Sequence, residues 1–408
     1  MNAMYRKSWL ALGAAAAICL FAPAPATAQS PAAEACAFLG RGLTFDFSPG
    51  GGGRAALRQR TVRCLQSRAK STISATAPAD GGGFTTFDPP GSTFTVPSAI
   101  TPDGEIAGYF TDASGLTHGF LRGRHGRITT FDPPGSTLTQ ATSINPDGEI
   151  AGAYCDTAGC AREHGFLRRR DGTFTTFDAP GVSSNILPGL YNPGGPPPSV
   201  TPAGAIAGTY SVPGQTEHGF LRARNGALTT IDVPGATFTE VLAINPGGAI
   251  IGDFCTPLTT CFTGFLRTPD GALTTISIPG SCGGGSIPFA INPEGTVVGG
   301  FSDPSCSVAH GYLRAPNGTI TTFDAPGPAL NFEPLAINPA GVVAGYIFTD
   351  TSHGFLRTPD GAITTFDVPG SSSTFAFEIN PEGAIIGSYS DASGVFHGFM
   401  RLPWSFHD

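Results

Sequence analysis

This sequence is short of charge, and the charge it carries is mostly negative. Asp, Glu, Lys and Arg make up 13% of 408 residues, and the formal net charge is −8. Phosphate binding needs a basic surface, so nucleic acid is excluded as a partner. Long apolar runs are also lacking. Beyond residue 28 no segment supplies the ~20 apolar residues of a membrane helix, so no membrane span is expected in the mature chain. Helical periodicity is confined to the first residues and a short stretch at 54–67. No cysteine shows the paired CxxC spacing or the companion histidine cluster of a zinc site. The Gly-rich turns are not phosphate loops, because no strand–loop–helix context with Lys-Ser/Thr follows them.

What is present begins with an export signal. Arg6 and Lys7 form a basic start, residues 9–21 an apolar stretch, and Ala26-Thr27-Ala28 a small-residue cleavage site. The reading is a Sec-type signal over residues 1–28, with a secreted or periplasmic mature chain. Ile18 before Cys19 is too large for a lipoprotein anchor. Removing Cys19 leaves eight of nine cysteines, an even number that suits disulfides in an oxidising compartment. Residues 29–83 form a basic leader and linker carrying Arg54, Arg58, Arg60, Arg63, Arg68 and Lys70. Residues 402–408 are a tail.

Gly and Pro are abundant, at 57 and 37 residues, which without a period would suggest disorder. Here there is a period. TTFD-x-PG or a variant begins at Thr85, Thr129, Thr175, Thr229, Thr274, Thr321 and Thr364. INPDG or a variant begins at Ile100, Ile144, Val200, Ile244, Ile291, Ile337 and Ile379, and HGFLR or a variant at His118, His164, His218, Thr263, His310, His353 and His397. Copies lie 42 to 56 residues apart, near the length of a four-stranded propeller blade.

One copy resolves into strands a to d, in the second copy at about 141–145, 149–154, 164–168 and 173–178, with Asp-Gly turns between two of the pairs. The repeat region opens on a lone d strand, 84–88, and ends on a, b and c strands (375–401) with no d strand after them. The two match if the first strand completes the last blade. The expected fold is therefore all-β: a seven-bladed propeller of four-stranded antiparallel blades over 84–401, closed by the N-terminal strand as outermost strand of the last blade. An open β-solenoid gives that strand no partner.

TTFDxPG, INPDGxIAGxY and HGFLR resemble the repeats of bacterial extracellular HAF-repeat proteins, over nearly all of 84–401. Gly119 and Gly165 stand where the family's His-Ala-Phe pattern has Ala. The resemblance implies export and repeat architecture, and the family has no established activity to carry over. Strand order and closure also look like those of WD40 propellers, without the GH…WD signature.

Six histidines open strand c, and five precede by 14 residues the Asp that ends strand d: His118 and Asp132, His164 and Asp178, His218 and Asp232, His310 and Asp324, His353 and Asp367. Such residues face each other across a c–d hairpin. In the fourth copy Thr263 and Ser277 replace both partners together. A single His–Asp pair could be part of a hydrolytic triad, but one repeated around a ring, with no nucleophile at a fixed place, reads as a structural tie. Closure adds a sixth pair, His397 with Asp88. The arginines ending strand c, such as Arg122 and Arg168, are expected to satisfy turn carbonyls or carboxylates. Strand-b glycines such as Gly108 and Gly152 are expected to permit close packing or a bulge.

The d–a and b–c loops share one face and vary between copies. Cys155 with Cys160 and Cys255 with Cys261 would staple b–c loops. Cys282 and Cys306 would join a d–a loop to a b–c loop, and Cys36 and Cys64 would pair in the leader. The long connection 179–199, with Asn185, Ile186, Leu187, Leu190 and Tyr191, is the candidate ligand loop. No catalytic, metal or cofactor residue is assigned. Calcium is the one ion that acidic b–c loops such as 111–115 could take, and they lack the dense alternating carboxylates of calcium motifs. The expected function is that of an exported, non-catalytic, monomeric scaffold for an extracellular ligand or protein. The alternative is a propeller enzyme acting on an extracellular glycan or polymer, which needs a polar constellation unique to one or two blades.

Overall fold

The computed structural model describes residues 83–157, 160, 163–179, 200–211, 217–257 and 262–403. The expected signal, the leader with Cys36 and Cys64, and the ligand-loop residues Asn185, Ile186, Leu187, Leu190 and Tyr191 lie outside the described residues. So do Cys261 and the tail from 404.

Short runs of β-branched and aromatic residues between Gly-bearing turns favour strands, and each repeat folds as an antiparallel meander. The first is Ser92–Ile100, Ile106–Asp112, Thr117–Arg122 and Ile128–Phe131, the second Leu138–Ile144, Ile150–Cys155, Glu163–Arg168 and Phe174–Phe177. The third comprises Ile206–Ser211, Glu217–Arg222 and Leu228–Ile231, with Val200 bridged to Ile206. The fourth is Phe238–Ile244, Ile250–Cys255, Thr263–Arg267 and Leu273–Ile276, the fifth Ile287–Ile291, Val297–Ser302, Ala309–Arg314 and Ile320–Phe323. The sixth is Asn331–Ile337, Val343–Phe348, Ser352–Arg357 and Ile363–Phe366. The last is Ser373–Ile379, Ile385–Ser390 and Phe396–Arg401, and the strand beside Phe396–Arg401 is the first of the chain, Phe84–Phe87. Their register runs from Phe84 opposite Arg401 to Phe87 opposite Gly398. Among the described residues the one helical element is a 3-10 turn at Cys282–Gly284.

The a strands of neighbouring repeats lie against one another, which puts them on the inside and the d strands at the rim. Apolar clusters fill the spaces between successive repeats. Ala151, Leu167, Val200 and Phe220 join the second and third; Val298, Phe323, Val343 and Phe355 join the fifth and sixth. Another joins the last repeat to the first through Phe87, Ile106, Phe120, Ala384 and Ile386.

The INPDG asparagine ties the repeats together at their inner ends. Its Oδ1 accepts the backbone N–H four residues on, as from Glu149 to Asn145 and from Ala384 to Asn380, and fixes the a–b turn. Its Nδ2 donates to the backbone of the next repeat: Asn145 to Thr201, Asn245 to Asn292, Asn292 to Asn338, Asn338 to Asn380, and Asn380 back to Thr101, at 3.1–3.4 Å. Thr101 and Thr201 replace the asparagine in the first and third repeats, where their hydroxyls make only the turn contact.

Two glycine positions are close approaches. A Cβ on Gly108 would lie 2.2 Å from the Val96 carbonyl and 2.7 Å from the Phe120 ring. One on Gly119 would lie 2.5 Å from the Phe131 ring, so the aromatic ring of strand d occupies the space of the alanine expected from the HAF pattern. The strand-c arginines differ from expectation. Five of the seven guanidiniums stack on a d-strand phenylalanine of the preceding repeat, as Arg122 over Phe87 at 5.0 Å and Arg168 over Phe131 at 4.8 Å; before Arg267 and Arg314 that d strand ends in Ile231 and Ile276 instead. Contacts to turn carbonyls, such as Arg168 to Arg169, stretch to 3.4 Å. A delocalised cation half-removed from water gains more from an aromatic face than from so long a hydrogen bond.

Candidate functional site

The loop face is built from the ends of strands b, c and d. Gly119 opposes Phe131 in the first c–d pair, so His118 and Asp132 meet just beyond the ladder. His118 Nδ1 donates to Asp132 at 2.7 Å. The other repeats place the same partners together: His164 and Asp178 at 2.8 Å, His218 and Asp232 at 2.7 Å, His310 and Asp324 at 2.5 Å, His353 and Asp367 at 2.9 Å. His397 reaches Asp88 at 2.7 Å across the junction of last and first strands. Each imidazole except that of His353 also lies on a strand-b aromatic ring, as with Tyr154 under His164 and Tyr389 under His397, both at 5.1 Å.

Sequence reasoning missed a second carboxylate. Nε2 of His118 faces Asp112 at 3.4 Å, that of His164 faces Asp156 at 3.2 Å, and that of His397 faces Asp391 at 3.5 Å. All three acids sit where strand b gives way to the b–c loop. The signal was the Asp recurring a residue or two after the strand-b aromatic, as in Tyr-Phe-Thr-Asp112 and Tyr-Ser-Asp391. Variable loop lengths removed any fixed spacing from it to the histidine.

These loop carboxylates are held in place. Asp112 Oδ1 accepts from the Ser114 N–H and hydroxyl and the Leu116 N–H, leaving Oδ2 toward the imidazole. Asp391 repeats this with Ser393 and Val395. Hydrogen bonds from the serine hydroxyl first, then from the loop backbone, hold both carboxyls down to about 2. One oxygen of Asp112 is thus spent on its own turn, which accounts for the shape of the 111–115 loop without an ion. Burial would lower the imidazoles of His118 and His397, but hydrogen bonds and charge from Asp132 and Asp88, then from Asp112 and Asp391, leave both raised. The hydrogen bond to Asp367 raises His353 against an opposing burial effect. His118, Asp112 and Asp132 line a surface cavity of about 420 Å³ with Phe110, Pro90, Ile128 and Thr130.

Disulfides brace this face. Cys155 joins Cys160 within a b–c loop, and Cys282 joins Cys306, bringing a d–a loop against a b–c loop at a Cα separation of 5.1 Å. Cys255 is disulfide-bonded as well. Cys160 and Cys306 both take positive φ, 52° and 56°, a region non-Gly residues seldom occupy. In the fourth repeat Thr263 is buried and no imidazole is present.

Two acids lie on the a strands outside the recurring motifs, and one of them, Glu333, has Glu240 at its place in the fourth repeat. Glu378 accepts the Ile100 N–H at 3.2 Å, and burial pushes its carboxyl up to about 8. Burial likewise pushes Glu333 up to about 7, against a hydrogen bond from Asn331.

No protein-family model matches the chain, and no curated protein matches its sequence. Its fold has known counterparts. Virginiamycin B lyase from Staphylococcus aureus aligns with a TM-score of 0.53 and 14% identity, over 79% of this chain and 100% of the lyase. TolB from Acinetobacter baumannii aligns at 0.43 and 15%, over 74% of this chain and 64% of its own. YCF48, in a structure bound to D1 peptide, aligns at 0.42 and 10%, over 78% and 97%. The lyase likeness and the four-stranded antiparallel sheets define the class: a β-propeller. At such identities the likeness extends to the fold alone.

Proposed function

We propose that the chain is an exported, seven-bladed β-propeller of the HAF-repeat kind, serving as a non-catalytic scaffold for an extracellular ligand. In this reading Phe84–Phe87 is the outermost strand of the last blade. The apolar cluster between last and first repeats and the Asn380 bond to Thr101 support closure. The disulfides Cys155–Cys160 and Cys282–Cys306 suit an oxidising compartment outside the cytoplasm.

One observation carries the scaffold reading. The ionisable side chains that recur from blade to blade are bonded to each other, while the loops beside them differ in length and are cross-linked. A rigid ring holding variable, braced loops on one face is the arrangement that binding proteins use. Those loops, including the 179–199 connection, are the proposed ligand surface.

The test is thermal unfolding of the mature protein with glycans, peptidoglycan fragments and calcium, beside a variant lacking residues 186–197. A stabilising shift that disappears with the deletion supports the scaffold and locates its ligand loop. A shift that survives the deletion moves binding to the remaining loops. Turnover of any glycan in the same incubations replaces the scaffold with a propeller enzyme.

A further inference from the structure

Two features of the His–Asp lines exceed what a structural tie requires. The first is distance. A charge-assisted N–H···O bond closes to about 2.7–2.9 Å, as the Nδ1 contacts do, yet the Nε2 to loop-carboxylate separations are 3.4, 3.2 and 3.5 Å. The second is an unsatisfied atom. Nε2 of His164 is buried and makes no hydrogen bond, although Asp156 Oδ2 stands 3.2 Å away. A buried polar atom beside a carboxylate oxygen, without a bond between them, calls for a third party.

Tetrahedral zinc holds an imidazole nitrogen and a carboxylate oxygen at about 2.0–2.2 Å each, which sets the two ligand atoms roughly 3.3–3.6 Å apart, and about 3.2 Å when the angle closes by a few degrees. The remaining parts of such a site are also present. Asp132, Asp178 and Asp88 accept the opposite ring N–H of His118, His164 and His397, fixing the tautomer that turns the Nε2 lone pair toward the loop. Asp112 and Asp391 are oriented by their own turns, one oxygen anchored and the other free to ligate. The cysteines near His164 are disulfide-bonded and offer no thiolate.

We infer that His118 with Asp112, His164 with Asp156, and His397 with Asp391 each hold a divalent first-row metal ion of the zinc type, between Nε2 and Oδ2, with water completing the coordination. Two protein ligands make these low-affinity sites, set on three successive blades at the rim of the loop face. The inference does not depend on the scaffold reading, since a metal could sit there in an enzyme as well.

The experiment uses untagged, mature, disulfide-intact protein stripped with chelator. Zinc uptake is followed by calorimetry, and cobalt substitution by visible absorption. Uptake of about three ions per chain is expected. His118→Gln, His164→Gln and His397→Gln should each remove one. His353→Gln should remove none, because Nε2 of His353 faces the Thr351 hydroxyl at 3.2 Å and not a carboxylate. Asp132→Asn keeps both ligands of the first site and should weaken it by about tenfold or more. Where a histidine variant fails to fold, Asp112→Asn serves instead, since its retained oxygen can still hold the turn. No uptake at millimolar zinc, unchanged stoichiometry in all three histidine variants, or a site lost in His353→Gln would each overturn the inference.

Discussion

Glu378 shows how a single residue sets the pH response of the ring. A free glutamate titrates near 4.5, whereas the half-buried carboxyl, desolvated by the strands packed around it, holds its proton up to about 8. Between those values the folded chain keeps a proton that the unfolded chain has released. Stability from this group is therefore complete below about 4.5 and declines toward 8, by at most about 1.4 kcal/mol per pH unit. The raised imidazoles of His118, His353 and His397 act in the same direction. Their contribution is full below the unfolded value near 6.5 and is lost as pH rises through the folded one. Asp112 and Asp391, held at about 2, work the other way: their stabilisation is lost only as pH falls toward that value. The unfolding midpoint should fall steadily between about pH 5 and 8. Glu378→Gln, which can still accept the Ile100 N–H, should flatten that fall and raise the midpoint at the alkaline end. Circular dichroism melts of both proteins check this, and a lower alkaline midpoint for the variant would contradict it.

At the scale of strands, the b strand depends on how closely it approaches its neighbours. Gly108→Ala would put a methyl 2.2 Å from the Val96 carbonyl, on backbone that cannot give way. It should cost about 3 kcal/mol or more, as overpacking does. Gly115→Ala, in open space but at a φ of +85°, should cost only about 1–2 kcal/mol from the left-handed backbone. Urea unfolding of the two variants separates crowding from backbone strain; equal losses would remove the packing argument. Much of this element structure was legible in the sequence. The second repeat forms its four strands within three residues of the positions expected from its motifs, because turn glycines and alternating apolar residues are local signals. The His–Asp partners were legible because one hairpin fixes their spacing. The Asn380 to Thr101 bond and the stacking of Arg122 on Phe87 were not, because each partner belongs to another repeat. Glu378 was invisible for a different reason: it departs from the repeat at its own position, so no periodicity marks it, whereas Glu333 shares its place with Glu240 of the fourth repeat but falls outside the recurring motifs.

The whole molecule turns on one junction. Phe84–Phe87 pairs with Phe396–Arg401, and His397 reaches Asp88 beside it. Deleting residues 83–88 should leave Phe396–Arg401 as an open edge, a template for pairing with other chains. Light scattering should then show aggregation, together with a lowered melting point. Moving the same residues to follow residue 403 should restore a monomer. A deletion variant that stays monomeric with an unchanged melt would show that the pairing contributes nothing. The unmatched strand made this junction legible from sequence, whereas the inner asparagine bonds and apolar clusters that support it needed coordinates.

The same junction separates two partners by nearly the whole described length, 309 residues between Asp88 and His397. A chain synthesised from its N-terminus delivers one half of that joint early and the other at the end. The opening strand must wait for its partner until the final one has been made. Pairing of Phe84–Phe87 with Phe396–Arg401 therefore reports that the described chain is whole, and a chain cut short keeps an orphan strand that a quality-control protease can grip.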